Sequence, residues 1–216
     1  KGNWTKIINV KSQEYGHPII TGSDIVQTDC LEKCKYASKK YTKEKNELKL
    51  NRNMILITCS GTIGNLTYVS EYLENSLGAP DLIRIVIDEN KLYSGYVFAF
   101  LSSKIGQTLI KQSTYGSVIQ HITPESLYQI PIPVLLDKTM QEIHFLIQDA
   151  YSMRDEAKKH LKKAQEIIIS NFSEKVGIEE FSTSIEKLDQ KSPLRLDAFY
   201  YSGFVKDAIN FIEQAD

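Results

Sequence analysis

The residues that could do chemistry in this chain are few, and most fail on spacing. Pro80-Asp81 followed by Glu89-Asn90-Lys91 has the written form of a metal-dependent nuclease, in which Asp81 and Glu89 would share a divalent cation and Lys91 would stabilise charge. A single apolar strand lies between the two carboxylates. At ~3.3 Å per residue they would stand about 26 Å apart, while joint ligands of one ion must each approach to roughly 2 Å. Cys30-x-x-x-Cys34 with the distant Cys59 lacks the second closely spaced ligand pair of a zinc site. His17, His121, His144 and His160 are scattered, and no Ser or Cys sits in a nucleophile elbow. Ser60-Gly61-Thr62-Ile63-Gly64 lacks the Lys of a phosphate loop and the third Gly of a dinucleotide loop. No two prolines are adjacent, so the Asn/Asp-Pro-Pro-aromatic loop of amino-methyltransferases is absent. The expectation is a non-catalytic chain without metal or cofactor.

What remains is a binding surface. Between Lys33 and Arg52 there are eight Lys or Arg against Glu44 and Glu47, with Tyr36 and Tyr41 interleaved. Such point charges and rings suit a phosphate backbone, where they displace counterions and touch sugars. The candidates are Lys33, Lys35, Lys39, Lys40, Tyr41 and Lys43; the competing reading is a solvated lysine-rich loop or helix face. A second polar group contains Gln107, Lys111, Gln112, Tyr115, Ser117, Gln120 and His121. With Ser60 and Thr62 it offers paired donors and acceptors of the kind that read base edges in the major groove.

Elements must position these groups. The 216 residues are 42% hydrophobic and 25% charged, with a net charge of -1, a globular composition that argues against disorder and gives no global electrostatic case for nucleic acid. No run approaches the ~18 apolar residues of a membrane span, and three cysteines make no disulfide framework, so a soluble protein of a reducing, cytoplasmic interior is expected. Residues 1 to about 30 predict short strands and turns. Met54 to Thr58 and Leu82 to Ile87 predict central strands. Val97, Phe98, Leu101, Ile105, Leu109 and Ile110 recur at helical spacing between Tyr93 and Gln112, and Pro131-Ile132-Pro133 closes this part.

From Lys138 to Phe172 there is no Gly or Pro. Two seven-residue series run through the stretch: Ile143, Ala150, Ala157, Ala164, and Ile147, Arg154, Leu161, Ile168. Together they predict a helix about 50 Å long with a pairing seam broken once by Arg154, and small alanines that admit a close partner helix. A protruding arm is favoured over a helix packed on its own domain. Ser182 to Ser192 reads as a linker, and Pro193 to Ile212 as the start of a further amphipathic helix.

Several segments in order resemble the DNA-specificity (S) subunits of type I restriction-modification systems. They are Ile55-Leu56-Ile57-Thr58-Cys59-Ser60-Gly61-Thr62-Ile63-Gly64, Asp81-Leu82-Ile83-Arg84-Ile85, Gly95-Tyr96-Val97-Phe98-Ala99-Phe100-Leu101, Tyr115-Gly116-Ser117-Val118-Ile119-Gln120-His121-Ile122, Ile130-Pro131-Ile132-Pro133, Gln141-Glu142-Ile143 and Arg195-Leu196-Asp197-Ala198-Phe199-Tyr200-Tyr201. The resemblance implies an α/β (α+β) target recognition domain over 1–136 that reads half of a bipartite site in double-stranded DNA. A coiled-coil-like spacer or dimerisation helix would follow over 137–177, then a linker over 178–194 and the opening helix of a second, permuted or swapped recognition domain over 195–216. It further implies adenine methyltransferase and restriction/translocation subunits as partners, a homodimer through Ile143, Ile147, Ala150, Ala157, Leu161, Ala164 and Ile168 as one option, and no membrane. Whether the chain is a half-subunit or a piece of a two-domain subunit stays open. A metal nuclease, or an interaction module acting through the long helix, are the alternatives.

Overall fold

A computed structural model describes residues 7–42, 45–60, 62–113 and 121–173. The chain divides into two compact units, Lys1–Lys158 and Lys159–Asp216. The first holds a four-stranded sheet of order β1-β3-β2-β6, built from β1 (Asn9–Val10), β2 (Gly16–Ile20), β3 (Lys35–Ser38) and β6 (Leu77–Gly78). In it β3 pairs antiparallel with β1 and β2, and β6 runs parallel to β2. An antiparallel sheet of order β5-β4-β7 comprises β4 (Ile55–Thr58), β5 (Leu66–Tyr68) and β7 (Leu82–Ile85). The remaining elements are α1 (Lys45–Leu48), α2 (Ser94–Ser102), α3 (Lys104–Gln112), α4 (Pro124–Tyr128) and α5 (Asp137–Ser173). The expected combination of sheets, helices and a long helix after them is thus present among the described residues.

β4 explains the core. All four of its residues are buried, which is why it reads as an unbroken apolar run instead of an alternating one. Its side chains alternate between faces. Ile55 and Ile57 pair with Ile85 and Ile83 of β7 and join Tyr68, Val97, Phe98, Leu101 and Ile110 in one cluster. Leu56 points the other way, into a second cluster with Ile20, Leu50, Val69, Leu73 and Leu82. β7 is an edge strand of this sheet, contrary to the expectation of a central one. Its apolar run reflects Leu82 in the second cluster, Ile83 and Ile85 on the first, and an end, Val86, that is 69% exposed.

The helix anticipated between Tyr93 and Gln112 is two helices. Ser103 has ψ of 162°, breaking the backbone; its N–H donates to the carbonyls of Ala99 and Phe100, and its Oγ accepts the Gly106 N–H as the N-cap of α3. The turn is so tight that a Cβ on Gly106 would stand 2.2 Å from the Phe100 carbonyl oxygen. The break turns Ile105 outward, at 67% exposure, although its spacing placed it on the buried face.

α5 corrects the arm over its first half. Met140, His144 and Asp155 are buried, and Ile147 and Tyr151 pack against the first cluster. Gly95 permits close backbone approach: its N–H donates to His144 Nδ1 at 3.0 Å, and a Cβ there would lie 2.7 Å from the His144 carbonyl oxygen. The Tyr151 hydroxyl accepts the Tyr68 N–H, and an Asp155 carboxylate oxygen accepts the Tyr72 N–H, both at 3.2 Å. Up to Lys158 this helix is therefore part of its own domain. In the second unit, described over 159–173 only, residues 161–170 are all exposed. No helix among the described residues is long and apolar enough to cross a membrane.

Candidate nucleic-acid interface

Thr58 ties together the described residues that follow β4. Its hydroxyl donates to the Thr62 carbonyl at 2.5 Å and accepts the Asn65 N–H at 3.1 Å, while the Gly64 N–H returns to the Thr58 carbonyl. Gly64 has φ of +85°, a left-handed conformation that L side chains adopt at a cost. α3 clamps the loop: Gln107 Nε2 donates to the carbonyls of Gly64 and Leu101, each at 3.0 Å. Gln107, expected among the base-reading donors, thus holds the scaffold. Lys111 follows one turn later on α3 and is exposed.

Ser60 forms an antiparallel bridge with His121, and the Ile122 N–H donates to the Cys59 carbonyl at 3.1 Å. Two segments far apart in sequence, both expected to carry base-reading groups, are joined through their backbones. Ser60 and His121 are half-buried and Thr62 is exposed. Tyr115, Ser117 and Gln120 lie outside the described residues.

The basic stretch is neither one loop nor one helix face. Ala37, Ser38, Thr42, Leu48 and Leu50 are buried and anchor it, so cations alternate with core contacts. Lys33, Lys35, Lys39 and Lys40 are exposed, and Lys40 Nζ lies 5.2 Å from the centre of the Tyr41 ring, itself 59% exposed. Lys39 differs from its neighbours: its ammonium donates to the carbonyls of Gln13 and Glu14 at 3.2 and 2.9 Å, tying β3 to the β1–β2 turn. Arg52 pairs with Glu71 at 3.6 Å. Lys43 lies outside the described residues. The lysine group flanks β3 of the four-stranded sheet, whereas Ser60 and Thr62 follow the central strand of the other.

The nuclease-like pair is held apart by β7. The Asp81 carbonyl accepts the Cys59 thiol at 2.8 Å at one end; at the other, Glu89 Oε2 accepts the Ser94 N–H where α2 starts, and Lys91 pairs with Asp88 at 3.6 Å. Among the described residues no group of three or more His, Cys, Asp or Glu is gathered as for a metal ion. Cys30 and Cys34 are buried free thiols, and burial pushes both up, away from the reactive thiolate.

The helix seam divides. Ile147 faces its own domain, Ile143 is half-buried, and Ala150, Ala157, Leu161, Ala164 and Ile168 are exposed. Arg154, the break in the seam, places its guanidinium 5.2 Å from the Tyr151 ring centre. Sequence counting missed the inward polar residues of α5, His144 and Asp155, because hydropathy ranks them as surface.

A comparison with curated proteins finds no match. Among solved structures, the chain is similar to the S subunit of a type I restriction-modification system from M. genitalium, at 18% sequence identity and a TM-score of 0.45, over 77% of this chain and 40% of that one. The chain thus spans well under half the length of that subunit. The profile of the family described as type I restriction modification DNA specificity domain matches residues 2–167. With most of its length matched, this chain belongs to that family of specificity domains, which recognise DNA by sequence.

Proposed function

We propose that residues 1–136 read one half of a bipartite site in double-stranded DNA without themselves catalysing a reaction. Lys33, Lys35, Lys39, Lys40, Tyr41 and Lys43 contact phosphates and sugars, and Ser60, Thr62, Lys111, Tyr115, Ser117, Gln120 and His121 face base edges. The observation that carries this reading is the Ser60–His121 bridge, which brings two polar segments together on a scaffold braced by Thr58 and Gln107. Rigid presentation matters because each bidentate base contact tolerates little displacement. In this reading the chain positions separate adenine methyltransferase and restriction/translocation subunits on the DNA. The exposed face bearing Ala150, Ala157, Leu161, Ala164 and Ile168 supports a helix that pairs with a counterpart, in a second copy or in a longer chain.

The test is selection of bound duplexes from a randomised pool by the full chain. Enrichment of one short, ungapped motif supports a single half-site reader; recovery of a pool with no preference above the input rejects it.

A further inference from the structure

Beyond the DNA-reading surface, a pocket of about 120 Å³ opens within the first unit, between the turn after β2, β5 and α5. Its wall includes Gln27, Thr67, Ser70, Tyr151, Arg154 and Lys158, and no carboxylate. Ser70 is the telling residue. It starts a 3₁₀ turn (Glu71–Leu73), where a serine hydroxyl ordinarily caps the backbone, yet it makes no capping bond. Its Oγ is buried without a hydrogen-bond partner in a residue only 7% exposed. An unsatisfied buried hydroxyl is destabilising unless something occupies the space in front of it.

The occupant's charge follows from the cations. Lys158 has a side chain 12% exposed; it sits 4.6 Å from the Tyr72 ring centre and forms an ion pair at 3.8 Å, beyond hydrogen-bond length, with Asp155 Oδ1, a buried oxygen that also lacks a hydrogen-bond partner. Its three ammonium protons are not consumed by that pair. Arg154 stacks on Tyr151, with no carboxylate in ion-pair range among the described residues. Burial pushes up the thiol of Cys30 on the same wall; Lys158 and Arg154 oppose that rise, and Asp29 and Asp24, outside the pocket wall, add to it.

We propose that this pocket binds a tetrahedral oxyanion of the phosphate class, either as free inorganic phosphate or as a phosphate of a nucleic-acid backbone. Arg154 and Lys158 supply charge, and Ser70 and Thr67 donate hydroxyl hydrogen bonds. The volume suits it: a cavity of ~150 Å³ accepts a six-carbon ring, so about 120 Å³ takes a five-atom ion.

The experiment is a titration of the full chain with inorganic phosphate, followed by amide chemical shifts, with sodium chloride at equal ionic strength as control. Saturable shifts at Thr67 and Ser70 are expected. Ser70→Ala should weaken binding about two- to tenfold and Arg154→Gln about tenfold or more, whereas Lys91→Gln, an exposed lysine outside the pocket wall, leaves it unchanged. Added duplex DNA separates the sources: loss of the phosphate response identifies a backbone phosphate, and its persistence identifies a free ion. Shifts that grow linearly without saturating, equal shifts with chloride, or the same affinity in both variants would overturn the proposal and leave a water-filled pocket. Duplex selection is scored separately, so failure here leaves the DNA reading standing.

Discussion

Replacing Gln107 by Ala separates two roles that its sequence position leaves equivalent. The side chain donates two hydrogen bonds of 3.0 Å, to the carbonyls of Gly64 and Leu101, from a half-buried position. Each neutral bond contributes a net ~0.5–1.5 kcal/mol, so losing both costs about 1–3 kcal/mol, nearer the lower end where water reaches the abandoned carbonyls. For a chain of this size ~1 kcal/mol lowers the melting temperature by roughly 2–4 °C, and a fall of about 3–8 °C is expected by calorimetry. Gly64 loses its brace to α3, so DNA affinity should drop for cognate and altered sites together. An unchanged melting temperature with a switch in base preference at one position would refute the bracing role and return Gln107 to the base-reading set.

Other expectations follow from the same contacts. Lys35→Ala and Lys40→Ala should each reduce the slope of log affinity against log salt by about 0.9 and weaken all duplexes alike, measured by fluorescence anisotropy across a salt series. Lys39→Ala should in addition lower stability, because its ammonium holds the Gln13 and Glu14 carbonyls; an effect on stability equal to that of Lys40→Ala would contradict this. Burial, with the Asp29 hydrogen bond and charge beside it, holds the Tyr72 phenol well above its ordinary value. Stability from the neutral phenol is therefore complete below a pH of about 10 and declines as pH rises beyond it. Urea titrations of Tyr72→Phe should show a flatter decline in that alkaline window, and an identical pH profile would exclude Tyr72 as its source. Ala157→Leu lies on the exposed face of α5 and should leave domain stability unchanged while separating paired helices, read as a weaker dimer in analytical ultracentrifugation; a fully monomeric wild-type chain would remove the dimer.

The parts legible in the sequence are those governed by local patterns. The three apolar residues of β4, Ile55, Leu56 and Ile57, announce a strand buried on both faces, and Gly64 marks the turn that ends its loop. The long helix starts soon after Pro133, once the proline-imposed break is past. β3 was hidden because its sequence, Lys-Tyr-Ala-Ser, pairs one exposed lysine with small buried residues and lies inside a cationic run. The edge position of β7 depends on which strand pairs with β4, which no local pattern encodes. The heptad count on α5 failed at Ile147 because periodicity shows that an apolar stripe exists, not which surface covers it. His144 and Asp155 are buried through hydrogen bonds to Gly95 and Tyr72, partners known only after folding. At the candidate interface the residue types were legible, while the Ser60–His121 adjacency is a long-range pairing and Gln107 exchanged recognition for support.

The central claim is that the bridged segments at Ser60, Thr62 and His121 read bases. The most direct measurement is the affinity of Thr62→Ala and His121→Ala for the selected duplex and for each of its single-base variants, at one fixed salt concentration. A loss on the order of 1–3 kcal/mol for the cognate duplex, with discrimination relaxed at one or two positions and the salt slope unchanged, is the predicted result. A uniform loss across all duplexes, or full discrimination retained in both variants, would contradict it.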